Sequence, residues 1–105
     1  MGSFRLSRRA DDDLDNIGVY TLRTWGEDPA DRYIGKLEDC CQMLAGNPWL
    51  GRSCEEVRPG LRRMEQGKHV VFYREETGGV LICRILHERM LPEKQAIDDE
   101  DDDTP

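Results

Sequence analysis

Long apolar runs are missing from this chain. No stretch approaches the roughly 20 residues needed to cross a bilayer, and the first residues carry no apolar segment of the signal-peptide kind. Neither a membrane span nor secretion is therefore expected. Paired-cysteine motifs are missing as well. Cys40, Cys41, Cys54 and Cys83 form no C-x-x-C, and the two histidines stand far from any ligand-like spacing, so no metal centre is expected. Cys40 and Cys41 are adjacent in an expected helix, where successive side chains diverge by about 100°. They read as small hydrophobes in a reducing cytoplasm, with a redox switch through Cys54 as the alternative.

Catalytic arrangements are equally scarce. No serine or cysteine sits beside a histidine in a nucleophile motif, and no Gly-rich phosphate loop follows a strand. No carboxylate pair lies in an apolar setting that would push two pKa values apart. No cofactor is implied.

What the chain does have is charge, unevenly placed. Its 105 residues suit one domain with a modest core. The net charge is −7, and Asp98, Asp99, Glu100, Asp101, Asp102 and Asp103 account for nearly all of it. Asp11, Asp12, Asp13 and Asp15 form a second acidic group. Arg58, Arg62, Arg63, Lys68, Arg74, Arg84, Arg89 and Lys94 make the C-terminal half mildly basic. Direct grip on nucleic acid usually needs a stronger basic footprint, so nucleic acid is not expected as the main partner. The division is a folded domain over residues 1–92 and an acidic tail over 93–105, with Ile97 to Pro105 disordered. The tail reads as a solvated segment, or alternatively as a partner-steering or DNA-mimicking arm.

The spacing gives the order of elements. Phe4-Arg-Leu6 is a short strand, and Ser7 caps a helix whose stripe is Ala10, Leu14, Ile17, Thr21 and Trp25. Gly26 stops it. Asp28 with Pro29 opens a second helix, which buries Ala30, Tyr33, Ile34, Leu37, Cys41, Leu44 and Ala45 and ends at Gly46-Asn47-Pro48. The two helices make an antiparallel hairpin. Trp49 to Gly60 is a loop, and strands follow at Leu61–Glu65, His69–Arg74 and Val80–His87. The last two are apolar on both faces, which makes them central. The fold class is α+β, in the order β-α-α-β-β-β, with the helix hairpin packed on a small, mostly antiparallel sheet.

Three stretches carry more than fold: Val57-Arg-Pro-Gly-Leu-Arg-Arg63, Gly67-Lys-His-Val-Val-Phe-Tyr-Arg74 and Ile85-Leu-His-Glu-Arg-Met90. With Leu6 to Ile17 and Gly46-Asn47-Pro48, their order and spacing resemble the ParE-type toxins of bacterial type II toxin–antitoxin pairs. The resemblance implies a cytoplasmic toxin that inhibits or poisons DNA gyrase by protein–protein binding and has no active site of its own. It also implies a ParD-like antitoxin that forms a hetero-oligomer with the toxin and docks an amphipathic helix into an apolar groove.

On that basis the target surface is expected at Arg84, His87, Arg89 and Met90, with Arg62 and Arg63 from a neighbouring strand. The antitoxin groove is expected at Leu14, Ile17, Tyr20, Trp25, Tyr33, Leu37 and Leu44. The related RelE-type fold gives an alternative, a ribosome-dependent mRNA endoribonuclease using Arg84 and His87. No tyrosine follows His87, however, and the surface lacks abundant lysine. A non-toxic remnant that only binds antitoxin is a third possibility. Plain structural roles stand beside these: His87 bonded to the body, Arg84 paired with a carboxylate, Met90 covering a core edge, and Trp49 closing the far end of the hairpin.

Overall fold

Ser7 begins the first helix as its chemistry dictates. Its hydroxyl accepts a 3.0 Å hydrogen bond from Ala10 N and donates at 2.9 Å to Cys83 O, tying the helix start to a distant strand. The computed structural model describes residues 2–97. In chain order these are β1 (Ser3–Leu6), α1 (Arg8–Trp25), α2 (Glu27–Gly46), β2 (Arg52–Ser53), β3 (Arg62–Gln66), β4 (His69–Glu76) and β5 (Gly79–His87), then a 3-10 turn at Pro92–Lys94. The sheet order is β1-β5-β4-β3-β2. β1 runs parallel to β5 and every other pairing is antiparallel. The α+β hairpin-on-sheet architecture is the one the sequence implies, with β2 added inside the expected loop.

Gly26 alone joins the helices, at φ 94°, a conformation that glycine adopts without the steric penalty of a Cβ. Because it turns the chain in one residue, α2 starts at Glu27 with no side-chain cap. Asp28 is therefore not the cap. It lies in the first turn, where its charge complements the helix dipole.

The sheet is covered on both faces. On the helix side, Ala10, Ile17, Leu37, Cys41, Leu44 and Ala45 meet Val71, Tyr73, Val80, Ile82 and Ile85. On the other side, Cys54, Leu61, Val70, Phe72, Leu81, Cys83 and Leu86 pack with Val57 and Ile97. Each fully buried large aliphatic here stabilises by roughly 1.5–3 kcal/mol. Ile97 is 4% exposed and covers part of the sheet's second face. The rest of the acidic tail lies outside the described residues.

All four cysteines are buried thiols. Burial pushes the Cys41 thiol up to about 12 and raises Cys54 as well. High thiol pKa and lack of access argue for packing and against a redox role.

Candidate functional site

A single extra residue in β5 creates the site. Counting back from the β4–β5 turn, Glu75 faces Val80, Arg74 faces Leu81 and Tyr73 faces Ile82; Phe72 then faces Arg84. Cys83 is the bulged residue. Bulges shift register and re-aim the side chains beyond them. Here the shift turns Ile85 and His87 toward the helices and sets His87 directly opposite His69. Their rings lie edge-to-face with centroids 5.5 Å apart.

Tyr33 of α2 completes this group. Its hydroxyl lies 2.6 Å from His69 Nδ1 and accepts from Lys68 N at 2.9 Å. The close approach is possible because Gly67, at φ 61°, carries no Cβ; one built there would fall 2.8 Å from the Tyr33 ring. His87 Nδ1 accepts from Arg89 N at 3.2 Å. Burial, and then the neighbouring His87, hold His69 below the usual imidazole range, with Asp13 and Glu88 opposing. Burial likewise raises the Tyr33 phenol.

These groups floor an open pocket of about 440 Å³ between the hairpin's turn and the ends of β4 and β5. Tyr20, Thr21, Trp25 and Pro29 form its helical wall, and Lys68, Glu88 and Arg89 its rim. Tyr20 is 67% and Trp25 68% exposed, so two large aromatic surfaces stand uncovered beside it. Exposed aromatics clustered with a few polar groups are what recognition surfaces use. Trp25 thus departs from the core stripe of α1, which ends at Thr21.

The structure brings Tyr20, Trp25, Tyr33, His87 and Arg89 into this one place. Met90, 40% exposed, is the next residue along. The remaining expected residues are elsewhere. Leu37 and Leu44 are fully buried and Ile17 nearly so; they fasten the hairpin to the sheet and present no groove. Leu14 packs on the same core.

Arg84 is not on an open face either. Its Nε and Nη2 donate to Asp13 at 2.7 and 2.9 Å, and Nη1 donates to Ala96 O at 2.7 Å. Arg62 and Arg63 sit toward the start of β3. Arg62 bonds Gly51 O and stacks on the exposed Trp49 at 5.4 Å, so that tryptophan packs on an arginine and does not close the hairpin. Arg63 lies over Phe72 on the opposite side of the sheet from the helices. Lys68, His69 and Glu88 join the site although none stood among the expected contact residues. Lys68 and His69 lie in the Gly67–Arg74 stretch, and Glu88 in the Ile85–Met90 stretch, that carry the family resemblance.

Among the described residues no group of His, Cys, Asp or Glu could hold a metal, and no helix is long and apolar enough to cross a membrane.

Residues 4–92 match the family described as ParE toxin of type II toxin–antitoxin system, parDE. Toxin ParE1 of Caulobacter vibrioides is 43% identical over 90 residues, covering 86% of this chain and 93% of that protein. Toxin ParE1 of Mycobacterium tuberculosis is 39% identical over 88 residues, covering 83% and 90%. Toxin ParE of Escherichia coli is 37% identical over 91 residues, covering 86% and 88%. A solved chain from the chromosomal ParDE TA system of P. aeruginosa has the same fold, with a TM-score of 0.69 at 25% identity over 83% of this chain and 96% of that one. The chain belongs to the ParE toxin family of type II toxin–antitoxin systems.

Proposed function

We propose that this toxin acts in the cytoplasm on DNA gyrase by protein–protein contact, without catalysis of its own, and is neutralised by a ParD-like antitoxin. The observation that carries the reading is the aromatic pocket. It joins Tyr20, Trp25 and Tyr33 from the hairpin to His87 and Arg89 from the end of β5. A segment that folds on binding covers such surfaces with an amphipathic helix. An antitoxin seated there would bury the C-terminal end of β5, the surface proposed to meet the target. Neutralisation then follows from steric competition.

The ribonuclease alternative is weakened by Arg84. A phosphate-gripping arginine must be accessible, and this one is spent on Asp13 and Ala96. His87 retains a plain role, capping the backbone at Arg89.

Expression in a host lacking antitoxin tests toxicity: growth arrest reversed by a co-expressed ParD-like protein supports the toxin reading, and unimpeded growth overturns it. Purified protein added to gyrase tests the target. Lost supercoiling or trapped cleavage complexes, relieved by antitoxin, support gyrase; ribosome-dependent mRNA cleavage would replace it.

A further inference from the structure

We infer that the pocket bounded by Tyr33, His69 and His87 is a carboxylate site, which takes an acidic side chain of a protein partner together with an adjacent apolar or aromatic group. The inference rests on reading this recess as a partner-docking surface and specifies the chemistry of what docks.

The donor arrangement points to an acceptor ligand. Both imidazoles are engaged at Nδ1: His87 accepts there from Arg89 N, and His69 faces Tyr33. Because the Tyr33 oxygen already accepts from Lys68 N, its own hydrogen is available to His69 Nδ1. Neutral rings held in this way carry their hydrogen on Nε2. Neither Nε2 has a hydrogen-bond partner among the described residues. The pocket therefore offers two N–H donors from neighbouring strands, flanked by Arg89 and by Lys68, whose Nζ lies 3.8 Å from Glu88 Oε2. Two donors and a rim with one surplus cation suit the two oxygens of a carboxylate. Tyr20 and Trp25 supply flat apolar walls for the rest of the ligand.

Charge also limits the ligand to a single anion. Glu88 lies in the rim, and the whole chain carries −7. A nucleic-acid backbone would meet that negative charge with repulsion over its length. One acidic side chain brings a single charge to the two donors.

The neutral rings are the ones that present this arrangement. A further proton on either ring would sit on the Nδ1 that now accepts, from Arg89 N in His87 and from the Tyr33 hydroxyl in His69, and would break that bond.

The test is a titration of the full chain with 3-phenylpropanoate, its neutral analogue 3-phenylpropanamide, and inorganic phosphate, read on histidine ring and Trp25 indole NMR resonances. The acid should bind at least about tenfold tighter than the amide. His69→Phe and His87→Phe keep a flat ring but remove the Nε2–H donor. With the remaining spectrum unchanged, each should cut the acid's advantage over the amide at least about threefold. Equal affinity for acid and amide overturns the carboxylate site. Phosphate shifting the same resonances at lower concentration also overturns it, in favour of a polyanion. Growth arrest with antitoxin rescue but no acid preference sinks this inference alone. Acid preference without growth arrest leaves it standing and removes the toxin reading.

Discussion

Arg84 grips Asp13 through two hydrogen bonds, of 2.7 and 2.9 Å, across the part of the β5 edge that β1 does not reach. Asp13 Oδ2 also accepts from Ile85 N at 3.0 Å, taking the place of the missing strand partner. The two side chains are only 12% and 14% exposed. A carboxylate from α1 thus finishes the sheet's hydrogen bonding where the first strand ends.

Removing either partner leaves the other charge poorly solvated. Arg84→Ala should lower the unfolding free energy by about 3 kcal/mol, measured by urea denaturation. Asp13→Ala should cost a similar amount, and the double variant much less than their sum. Any loss of toxicity in Arg84→Ala should follow the fraction unfolded. Toxicity lost at full stability would show instead that Arg84 meets the target.

Trp25 and Leu37 should separate binding from folding. Trp25→Ala removes a side chain that is 68% exposed; its stability should change by no more than about 0.5 kcal/mol, while antitoxin affinity falls at least about tenfold. Leu37→Ala empties a fully buried position and should cost about 2–5 kcal/mol. Calorimetric titration beside thermal melts checks both. Undiminished antitoxin affinity in Trp25→Ala would move the docking surface elsewhere.

The Tyr73 hydroxyl holds the chain between the hairpin and β2. It donates to Pro48 O at 2.7 Å and accepts from Gly51 N at 2.8 Å, deep in the fold. Tyr73→Phe strands both groups and should cost about 1–3 kcal/mol. Faster amide exchange at Gly51 than in the parent protein is the local signature; unchanged exchange would mean another group satisfies it.

Stability should fall with acidification from the histidine range downward. His69 has its pKa depressed in the fold by burial, and then by His87. The unfolded chain therefore takes up the proton first. This contribution is present above the unfolded value of 6.5 and is lost as pH drops through the lower folded value. Urea midpoints measured downward from about pH 7.5 should decline, and His69→Gln should flatten the decline near pH 6. Glu76, depressed mainly by its hydrogen bonds from Arg5, acts only below 4.5. A decline unaffected by His69→Gln would assign it to other groups.

Local chemistry was legible in the sequence. Ser7 capped, Gly26 turned, and Val70–Tyr73 with Val80–Leu86 became central strands, because each rests on side-chain period or backbone freedom within a few residues. The site was legible only in part. Periodicity marked Leu37, Leu44 and Trp25 as apolar, but it does not say whether an apolar surface is covered by its own chain or left for another. The bulge at Cys83 was hidden, since no glycine or proline announces it. Without that extra residue His69 would face Leu86, and Arg84 would fall on the helix side. β2 escaped notice because two residues, Arg52 and Ser53, are too few to show alternation.

The Ser7 bond to Cys83 O spans 76 positions of sequence, and among the described residues β1 pairs only with β5. While the protein is being made, its first strand has no neighbour and its helix hairpin has no floor until nearly the whole domain has left the ribosome. At about 5–20 residues per second that interval lasts several seconds. Through it the pocket between hairpin turn and strand ends does not yet exist. A ribosome halted before β5 would release a fragment unable to assemble either that pocket or the core beneath it, so only a finished copy can present it.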